Sequence, residues 1–445
     1  MGKAASSTLP AAGWTATRAG IDPVAWPDVA AVPPQGFRSA VARAIFRRAA
    51  SRLPLRVAER GRPVYGAGGP ASPLLVLHQP AAFFARLGSS GLIGFGESYM
   101  AGEWDCRDLT GLLTAFASQV TSLVPARLQW LRHIVLRHVP ASDNPDELGA
   151  RRNAARHYDL SNDLFATFLD PTMTYSAALF EEGPDGRPVT PPPGDPAALD
   201  VLAVAQQRKV DRLLDLAGVR PGTRVLEIGT GWGELAIRAG ARGAYVRTIT
   251  LSQQQRDLAA QRVRLAGLTG RVSVELCDYR EVTGKFDSVV SVEMIESVGA
   301  RYWPAFFAAL ARLLAPGGRV GLQAITMPHD RMLATRNTQT WILKYIFPGG
   351  LIPSVTAVET AAARAGLAVA GRRDFGPHYA ETLRIWREAF TARAGLVGAL
   401  GFDAVFRRMW TLYLAYAEAG FRAGYLGVSQ FLLRPAGLGD SELRS

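Results

Sequence analysis

The sequence predicts an α/β protein in which a smaller N-terminal domain precedes a doubly wound parallel sheet. From Arg224 onward, short apolar, β-branched segments alternate with helix-length segments, which indicates parallel strands joined by crossover helices. A glycine-rich turn at 229–233 joins the first of these strands to a helix. Polar side chains also follow four of the strands, and ligands bind at the carboxyl ends of strands in such sheets.

The apolar segments define each element in turn. Strands are predicted at 224–228, 245–250, 272–276, 286–292 and 318–325, and helices at 233–240, 252–266 and 302–314. A long amphipathic helix is predicted at 197–216, before the first strand. The segment 330–425 is predicted to be helical, and its many aromatic residues suit either a core or a cap that forms an apolar tunnel for an acyl chain.

The glycine turn has the sequence Val-Leu-Glu-Ile-Gly-Thr-Gly-Trp-Gly. Glycines let the backbone approach a ligand closely, although such turns also serve purely structural roles. Glu227 precedes the glycines, and no Lys-Ser/Thr pair follows them, which disfavours a phosphate-binding loop. Asp278 and Tyr279 follow the third strand, where an adenine would lie. This pattern resembles a class I S-adenosylmethionine (SAM) methyltransferase, with Glu227, Gly229, Gly231 and Gly233 as cofactor-binding candidates.

The formal net charge of +12 favours a polyanionic partner. Because no nucleic-acid-binding motif is present, an anionic membrane surface is favoured over nucleic acid, with an Arg-rich composition as the alternative explanation. Cys106 and Cys277 lack metal-ligand spacing, so neither a metal site nor a disulfide is predicted. No apolar run approaches the roughly 18 residues that span a bilayer, and no secretory signal begins the chain. A cytoplasmic enzyme, peripherally associated with the inner face of the membrane, is expected.

Three regions are predicted along the chain. Residues 1–60 form a mobile arm and a basic amphipathic helix, residues 61–145 a small lipid- or membrane-associated domain, and residues 146–445 the catalytic domain with its cap. In the helix at 36–53, apolar residues such as Phe37 and Ile45 alternate with arginines. Such a helix is suited to anionic headgroups, and docking against the next domain is an equal alternative.

Longer segments resemble the cyclopropane-fatty-acyl-phospholipid synthase family, which includes the mycolic acid cyclopropane synthases. The resemblance covers about 60–435 and rests on 94–104, 157–165, 225–233, 250–255, 286–299, 344–350 and 375–386. It implies a Rossmann-like catalytic domain with a helical lipid-binding cap, and methyl transfer from SAM to an unsaturated phospholipid acyl chain. The SAM contacts that it implies are Tyr158, Tyr175, Ser176, Gly229, Gly231, Thr250, Leu251, Gln255, Asp278 and Tyr279.

The resemblance also implies how the reaction loses a proton. In the family, a bound bicarbonate is thought to act as the base, held by a cysteine, a histidine, a glutamate, a tyrosine and a backbone group. Glu296 and Tyr379 match the glutamate and tyrosine, and Ile325 matches the backbone contributor. The cysteine position is Ala177 and the histidine position is Gln323, which departs from the pattern. Gln323 stays a candidate because its amide can still help to hold an anion.

These departures bear on the product. Proton loss with ring closure gives a cyclopropane, whereas a hydride shift before proton loss leaves a methylene branch. A tuberculostearic-acid-type branch of the family makes 10-methylene chains, which a flavin-dependent partner later reduces. The remodelled anion site favours this outcome, with cyclopropane formation as the alternative. A methyltransferase for a small polar acceptor and a non-catalytic lipid-binding protein are less favoured, and a homo-oligomer is compatible with the sequence.

Overall fold

The computed structural model describes residues 20–118 and 161–437. Of these, the residues up to Asp108 together with Asp403–Met409 form one unit. The residues from Leu109 to Phe402 and from Trp410 onward form a second unit, which contains the predicted sheet. Tyr158 and the arm before residue 20 lie outside the described residues.

The N-terminal unit packs helices against a three-stranded sheet. Strand β2 pairs in parallel with β1 and antiparallel with β3. Helix α2 packs Phe46 edge-on against Phe83 and Phe84 of α3, which fixes one face of the helix. The elements are α1 (Pro27–Ala30), α2 (Phe37–Ala50), β1 (Arg56–Glu59), β2 (Leu74–Leu77), α3 (Pro80–Ser90), α4 (Leu92–Met100) and β3 (Trp104–Cys106).

The predicted boundary at residue 60 separates two strands that the structure pairs. Strand β1 precedes the boundary and β2 follows it, and their registered pairing makes them parts of one sheet. Upstream, the buried Arg86 side chain donates to the carbonyl oxygens of Asp28 and Val29 at 2.7 and 2.6 Å. Residues from α1 onward therefore belong to the N-terminal unit rather than to a separate arm.

The second unit carries a seven-stranded sheet. Its strands are β4 (Arg224–Ile228), β5 (Tyr245–Thr250), β6 (Val272–Leu276), β7 (Phe286–Val292), β8 (Leu314–Thr326), β9 (Leu367–Asp374) and β10 (Gly427–Pro435). The order across the sheet is β6-β5-β4-β7-β8-β10-β9. Strands β4 to β8 are parallel, and β10 runs antiparallel to both of its neighbours. From β4, successive strands are added first on one side (β5, β6) and then on the other (β7, β8). A crevice for a ligand opens where this order of addition reverses, beside β4.

Helices cover both faces of this sheet. On one face, apolar side chains of β4, β7 and β8 pack against helix α11; on the other, those of β4, β5 and β7 pack against α7 and α8. The helices are α5 (Leu109–Ala117), α6 (Asn162–Ala166), α7 (Ala198–Leu216), α8 (Glu234–Ala241), α9 (Gln253–Leu265), α10 (Ile295–Val298), α11 (Trp303–Leu313), α12 (His329–Thr335), α13 (Trp341–Tyr345), α14 (Val355–Arg364), α15 (Gly376–Ala392), α16 (Ala394–Ala399) and α17 (Ala404–Arg422).

The predicted α/β fold is confirmed, and the first four predicted strands have the observed bounds. The prediction for 330–425 is wrong at β9, which lies inside a segment predicted to be helical. The β9 sequence Leu-Ala-Val-Ala-Gly-Arg-Arg-Asp contains strong helix formers. It becomes a strand because β10 pairs with it along its whole length, and tertiary pairing outweighs local propensity at a sheet edge.

Candidate active site

A cavity opens at the carboxyl ends of β4, β5, β6 and β7, and we call it the cofactor cavity. It is lined by segments that follow each of these strands, by the segment around Tyr175 and by the loop after α13. Ten of the predicted cofactor residues line it: Tyr175, Ser176, Glu227, Gly229, Gly231, Thr250, Leu251, Gln255, Asp278 and Tyr279.

In the turn after β4, glycines allow neighbouring side chains and helices to approach the backbone closely. Gly229 has a φ of 98°, and a Cβ there would lie 2.5 Å from Cγ of Met294. Gly231 has a φ of 50°, and a Cβ there would meet no atom within 4 Å because it faces the open cavity. Gly233 lies outside the cavity lining, and its place against Ala259 lets helices α8 and α9 pack closely. A larger side chain at position 231 would fill the space beside the turn. Glycine leaves that space open for a bound cofactor.

Polar groups at the neighbouring strand ends are held by short hydrogen bonds. Thr248 donates to the buried Glu227 carboxylate at 2.6 Å, and burial raises the pKa of Glu227 to about 8. Thr250 donates to the Gln255 side chain at 2.8 Å. The Asp278 carboxylate accepts two bonds from the Arg280 guanidinium, at 2.9 and 2.6 Å. These bonds fix the rotamers of the residues that would hold the amino acid, ribose and adenine parts of SAM.

Lys209 of α7 supports the segment around Tyr175, and the sequence reasoning missed it. Its ammonium donates to the Ser176 hydroxyl at 2.7 Å, and burial lowers the pKa of Lys209 to about 8. Gln206, one turn earlier, donates to the Ser176 carbonyl at 2.8 Å. Both residues lie on the face of α7 that also buries Leu202 and Leu213. A lysine and a glutamine on an otherwise apolar helix face are the signal that would have identified them.

A second group of residues surrounds the carboxylate of Glu293, directly after β7. The Tyr379 hydroxyl donates to it at 2.7 Å, the Gln323 side-chain amide at 2.8 Å and the Ala177 backbone amide at 3.1 Å. These three donors form what we call the anion cradle. Glu293 also lines the cofactor cavity. The cradle therefore presents a carboxylate at the wall of the cavity.

Hydrogen bonds from residues on the side away from Glu293 set the orientation of the Gln323 amide. Gln430 pairs with Gln323 in the β8–β10 register, and its amide nitrogen donates to the Gln323 oxygen at 3.0 Å. The Arg212 guanidinium donates in turn to the Gln430 oxygen. Both glutamines are fully buried. Because each carbonyl oxygen is thereby bonded, the amide nitrogen of Gln323 is directed at Glu293.

Glu296 lies three residues after Glu293, in helix α10, and the two carboxyl groups interact. The Ile325 backbone amide donates to one oxygen of Glu296, and the other oxygen has no hydrogen-bond partner among the described residues. Desolvation, followed by the charge of Glu293, raises the pKa of Glu296 to about 8. Burial also raises the pKa of Glu293, but its bonds from Tyr379 and Gln323 and the charge of Lys209 oppose that rise. Glu293 is thus the better stabilised anion of the pair.

The four predicted catalytic residues are brought together, but Glu293 stands at their centre. Gln323 and Tyr379 bond its carboxylate, while Ile325 bonds Glu296. In this structure, the three cradle donors bond the Glu293 side chain, at the place where the family resemblance implies a bound bicarbonate. The family resemblance selected Glu296 and did not single out Glu293. Both residues follow β7 within four positions, so position after a strand does not distinguish them.

The strand order and the glycine-walled cavity define a class I SAM-dependent methyltransferase. Residues 146–431 match the mycolic acid cyclopropane synthetase family. The chain belongs to this family, whose activity depends on SAM.

Two curated relatives cover most of the chain. Tuberculostearic acid methyltransferase UfaA1 of Mycobacterium tuberculosis is 56% identical over 419 residues, which span 93% of this chain and 96% of that protein. Cyclopropane-fatty-acyl-phospholipid synthase of Escherichia coli K12 is 33% identical over 347 residues, which span 77% of this chain and 82% of that protein.

Solved structures agree with the fold. Mycolic acid cyclopropane synthase CmaA1, complexed with SAH and CTAB, has a TM-score of 0.56 and 33% identity, over 64% of this chain and 97% of that one. Cyclopropane synthase MmaA2 from Mycobacterium tuberculosis has a TM-score of 0.56 and 32% identity, with the same two coverages.

Proposed function

We propose that this enzyme transfers a methyl group to the cis double bond of an unsaturated phospholipid acyl chain and produces a 10-methylene-branched chain. The observation that carries the proposal is the anion cradle beside the cofactor cavity. It supplies a place for proton removal next to the methyl donor. The similarity to a tuberculostearic acid methyltransferase over nearly the whole chain supports the methylene product.

The site is suited to a cationic reaction. Bound SAM supplies an electrophilic methyl group, and Tyr175, Gly231 and Asp278 are among the residues that would hold it. A weakly nucleophilic alkene must be held in line with that methyl group. A new C–C bond then forms, and the neighbouring alkene carbon becomes cationic. The aromatic side chains around the site suit this cation, because the rings of Tyr175 and Tyr379 both pack against Trp386.

The product depends on the next hydrogen that moves. If a hydride shifts onto the cationic carbon, the charge moves to the methyl-bearing carbon, and loss of a methyl proton leaves a methylene branch on the chain. If the methyl group loses its proton before any shift, a cyclopropane closes. Ala177 and Gln323 replace the cysteine and histidine implied for ring-forming relatives, so the base is presented differently. A displacement of about 1 Å in a reacting group can change a rate by ~100-fold, which is enough to redirect the outcome.

The test uses dioleoyl phosphatidylglycerol vesicles, purified enzyme and SAM with a deuterated methyl group. The expected product shows terminal-methylene carbon signals in ¹³C NMR and carries two deuterons on that carbon. A cyclopropane as the main product would contradict the methylene assignment, but the phospholipid acyl chain would still be the methyl acceptor. Absence of any lipid product would contradict the acceptor itself.

A membrane-facing surface in the N-terminal unit supports the phospholipid acceptor. Arg43 of α2 pairs with the buried Glu59, whereas the opposite face leaves Phe37, Val41 and Ile45 at 84%, 39% and 52% exposure. The arginines exposed near this apolar face are Arg38, Arg48 and Arg52. Apolar residues flanked by cations suit peripheral binding to anionic lipids. Among the described residues, no helix has the length and apolarity to cross a bilayer.

Sedimentation with anionic vesicles tests this surface. Phe37→Ser combined with Ile45→Ser should weaken binding, and salt should weaken wild-type binding because it screens the arginines. Leu265→Ser is the matched control, since Leu265 is 81% exposed on α9 of the other unit. Equal loss in the control, or binding that is insensitive to salt, would argue against α2 as the membrane face.

The product defines a further partner of the proposed pathway. Converting a methylene branch into a saturated methyl branch requires a hydride and a proton. The proposal therefore includes a separate flavin-dependent reductase that consumes the methylene lipid. Conversion of the purified product by such a reductase, with the methyltransferase removed, tests this order.

A further inference from the structure

We propose that Glu293 is the general base of this enzyme and occupies the place that a bound bicarbonate is implied to take in its relatives. The inference rests on the proposed function, because it concerns the proton that the lipid cation loses. The carboxylate of Glu293 bonds all three donors of the anion cradle. A planar, three-atom carboxylate thus already uses the donors that would receive an external anion.

The donors are arranged to hold an anion at this position. Tyr379, Gln323 and Ala177 are each less than one-tenth exposed, so their hydrogen atoms have little access to competing water. The chain from Arg212 through Gln430 fixes the Gln323 amide with its nitrogen toward the carboxylate. Hydrogen bonds to a charged acceptor are about twice as strong as neutral ones. The cradle accordingly favours the ionised form of Glu293, the form that accepts a proton.

The backbone at Glu293 shows that the side chain is placed there against a local preference. Its φ of 51° lies in the left-handed region, where glycine is the residue of lowest strain. Residues held in this region cost of order 1–3 kcal/mol and concentrate at functional sites. The Glu293 backbone amide donates to the Gln323 carbonyl at 2.8 Å, which holds the conformation. The strained backbone directs the carboxylate into the cradle at the cavity wall.

The reaction then balances without a further co-reactant. The methyl group moves from the sulfonium to one alkene carbon, and S-adenosylhomocysteine leaves. After the hydride shift, the bonding pair of one methyl C–H bond forms the double bond between the branch carbon and the cationic chain carbon. The proton passes to the Glu293 carboxylate, which becomes a neutral carboxylic acid. It returns the proton to solvent after the product leaves.

Two variants test the role of Glu293. Glu293→Gln keeps the shape of the side chain and removes its charge, and Glu293→Gly opens the cradle at a backbone position that suits glycine. At saturating SAM, both should lose turnover by roughly 100-fold or more, as expected for removal of a general base. Formate or bicarbonate should restore turnover to Glu293→Gly, whereas Glu293→Gln should not respond because its amide still fills the cradle. Near wild-type turnover of either variant in buffer free of carbon dioxide and formate would overturn the proposal.

Bicarbonate binding provides a readout that does not depend on turnover. In ¹³C NMR titrations with labelled bicarbonate, the wild type should leave the bicarbonate signal unchanged, and Glu293→Gly should broaden it. Wild-type turnover should also persist in carbon-dioxide-free buffer. Saturable binding to the wild type, or loss of its turnover on removal of bicarbonate, would overturn the role of Glu293. If the wild type makes no lipid product at all, the proposed function fails, and the titration still decides what occupies the cradle.

Discussion

The cofactor cavity and the anion cradle adjoin each other, yet they are built in different ways. Much of the cavity wall is made by short segments that directly follow β4, β5 and β6, and each of these contributions is encoded in a few consecutive residues. The cradle combines Ala177, Gln323 and Tyr379, which lie far apart in sequence and meet around the Glu293 carboxylate. Gln430, which supports Gln323, comes from β10, and only the pairing of β10 with β8 brings these two distant residues together.

This difference separates binding from proton removal. The cavity meets its ligand through backbone close to glycines and through fixed polar groups. The cradle instead stabilises one charge with three buried donors and leaves a neighbouring carboxyl, Glu296, with a raised pKa. Changes in the cavity should therefore affect SAM affinity, and changes in the cradle should affect turnover at unchanged SAM affinity.

The largest expected effect comes from filling the cavity. Gly231→Val places a branched side chain in the open space beside the turn, so SAM binding by calorimetry should be abolished. The matched control is Gly267→Val, which has a similar backbone strain at a φ of 69° but lies at the exposed end of α9. Equal loss of SAM binding in both variants would show that strain, rather than the filled cavity, is responsible.

A smaller effect is expected from removing one donor of the cradle. Tyr379→Phe keeps the ring stacked on Phe421 and deletes the hydroxyl that bonds Glu293 at 2.7 Å. Turnover should fall roughly 10- to 100-fold, because a hydrogen bond to a charged group contributes about 1.5–3 kcal/mol. SAM affinity should stay unchanged. Tyr245→Phe serves as the control, because Tyr245 lies at the end of β5 away from the cofactor cavity. A loss of SAM affinity in Tyr379→Phe would contradict the assignment of cofactor binding and proton removal to two different regions.

The smallest effect concerns the stability of the fold at high pH. Because the pKa of Glu296 rises from 4.5 to about 8 on folding, the folded chain binds this proton more tightly than the unfolded chain. The Glu296 contribution to stability is therefore fully present below pH 4.5 and is lost as the pH rises toward 8 and above. Glu296→Gln cannot ionise, so its melting temperature relative to wild type should increase with pH.

Glu381 supplies the opposite control for this measurement. Its carboxylate pairs with Arg384 and Arg422 at 2.7 and 2.9 Å, and these partners outweigh burial and lower its pKa. Glu381→Gln should therefore lose stability relative to wild type above the ordinary pKa of a glutamate. A melting temperature of Glu296→Gln that tracks wild type from pH 5 to pH 9 would contradict the raised pKa of Glu296.

The amino-acid sequence determined the elements whose information is local. Apolar, β-branched runs predicted β4 to β7 at their observed bounds, and the glycine turn with Glu227 indicated the cavity and its cofactor. Both signals work because neighbouring residues alone specify them. The edge strand β9 was not predicted, because its alanines and arginines favour a helix. Its strand conformation depends on hydrogen bonds to β10, which is distant in sequence.

Only the tertiary structure decided what fills the anion cradle. Family resemblance assigned Gln323 and Tyr379 to an anion site, but the side chain that bonds them is Glu293, whose position after β7 looks equivalent to that of Glu296 in the sequence. The choice between these two carboxylates depends on a left-handed backbone angle and on donors from distant segments. Those are properties of packing between strands and helices, and no local pattern of residues encodes them.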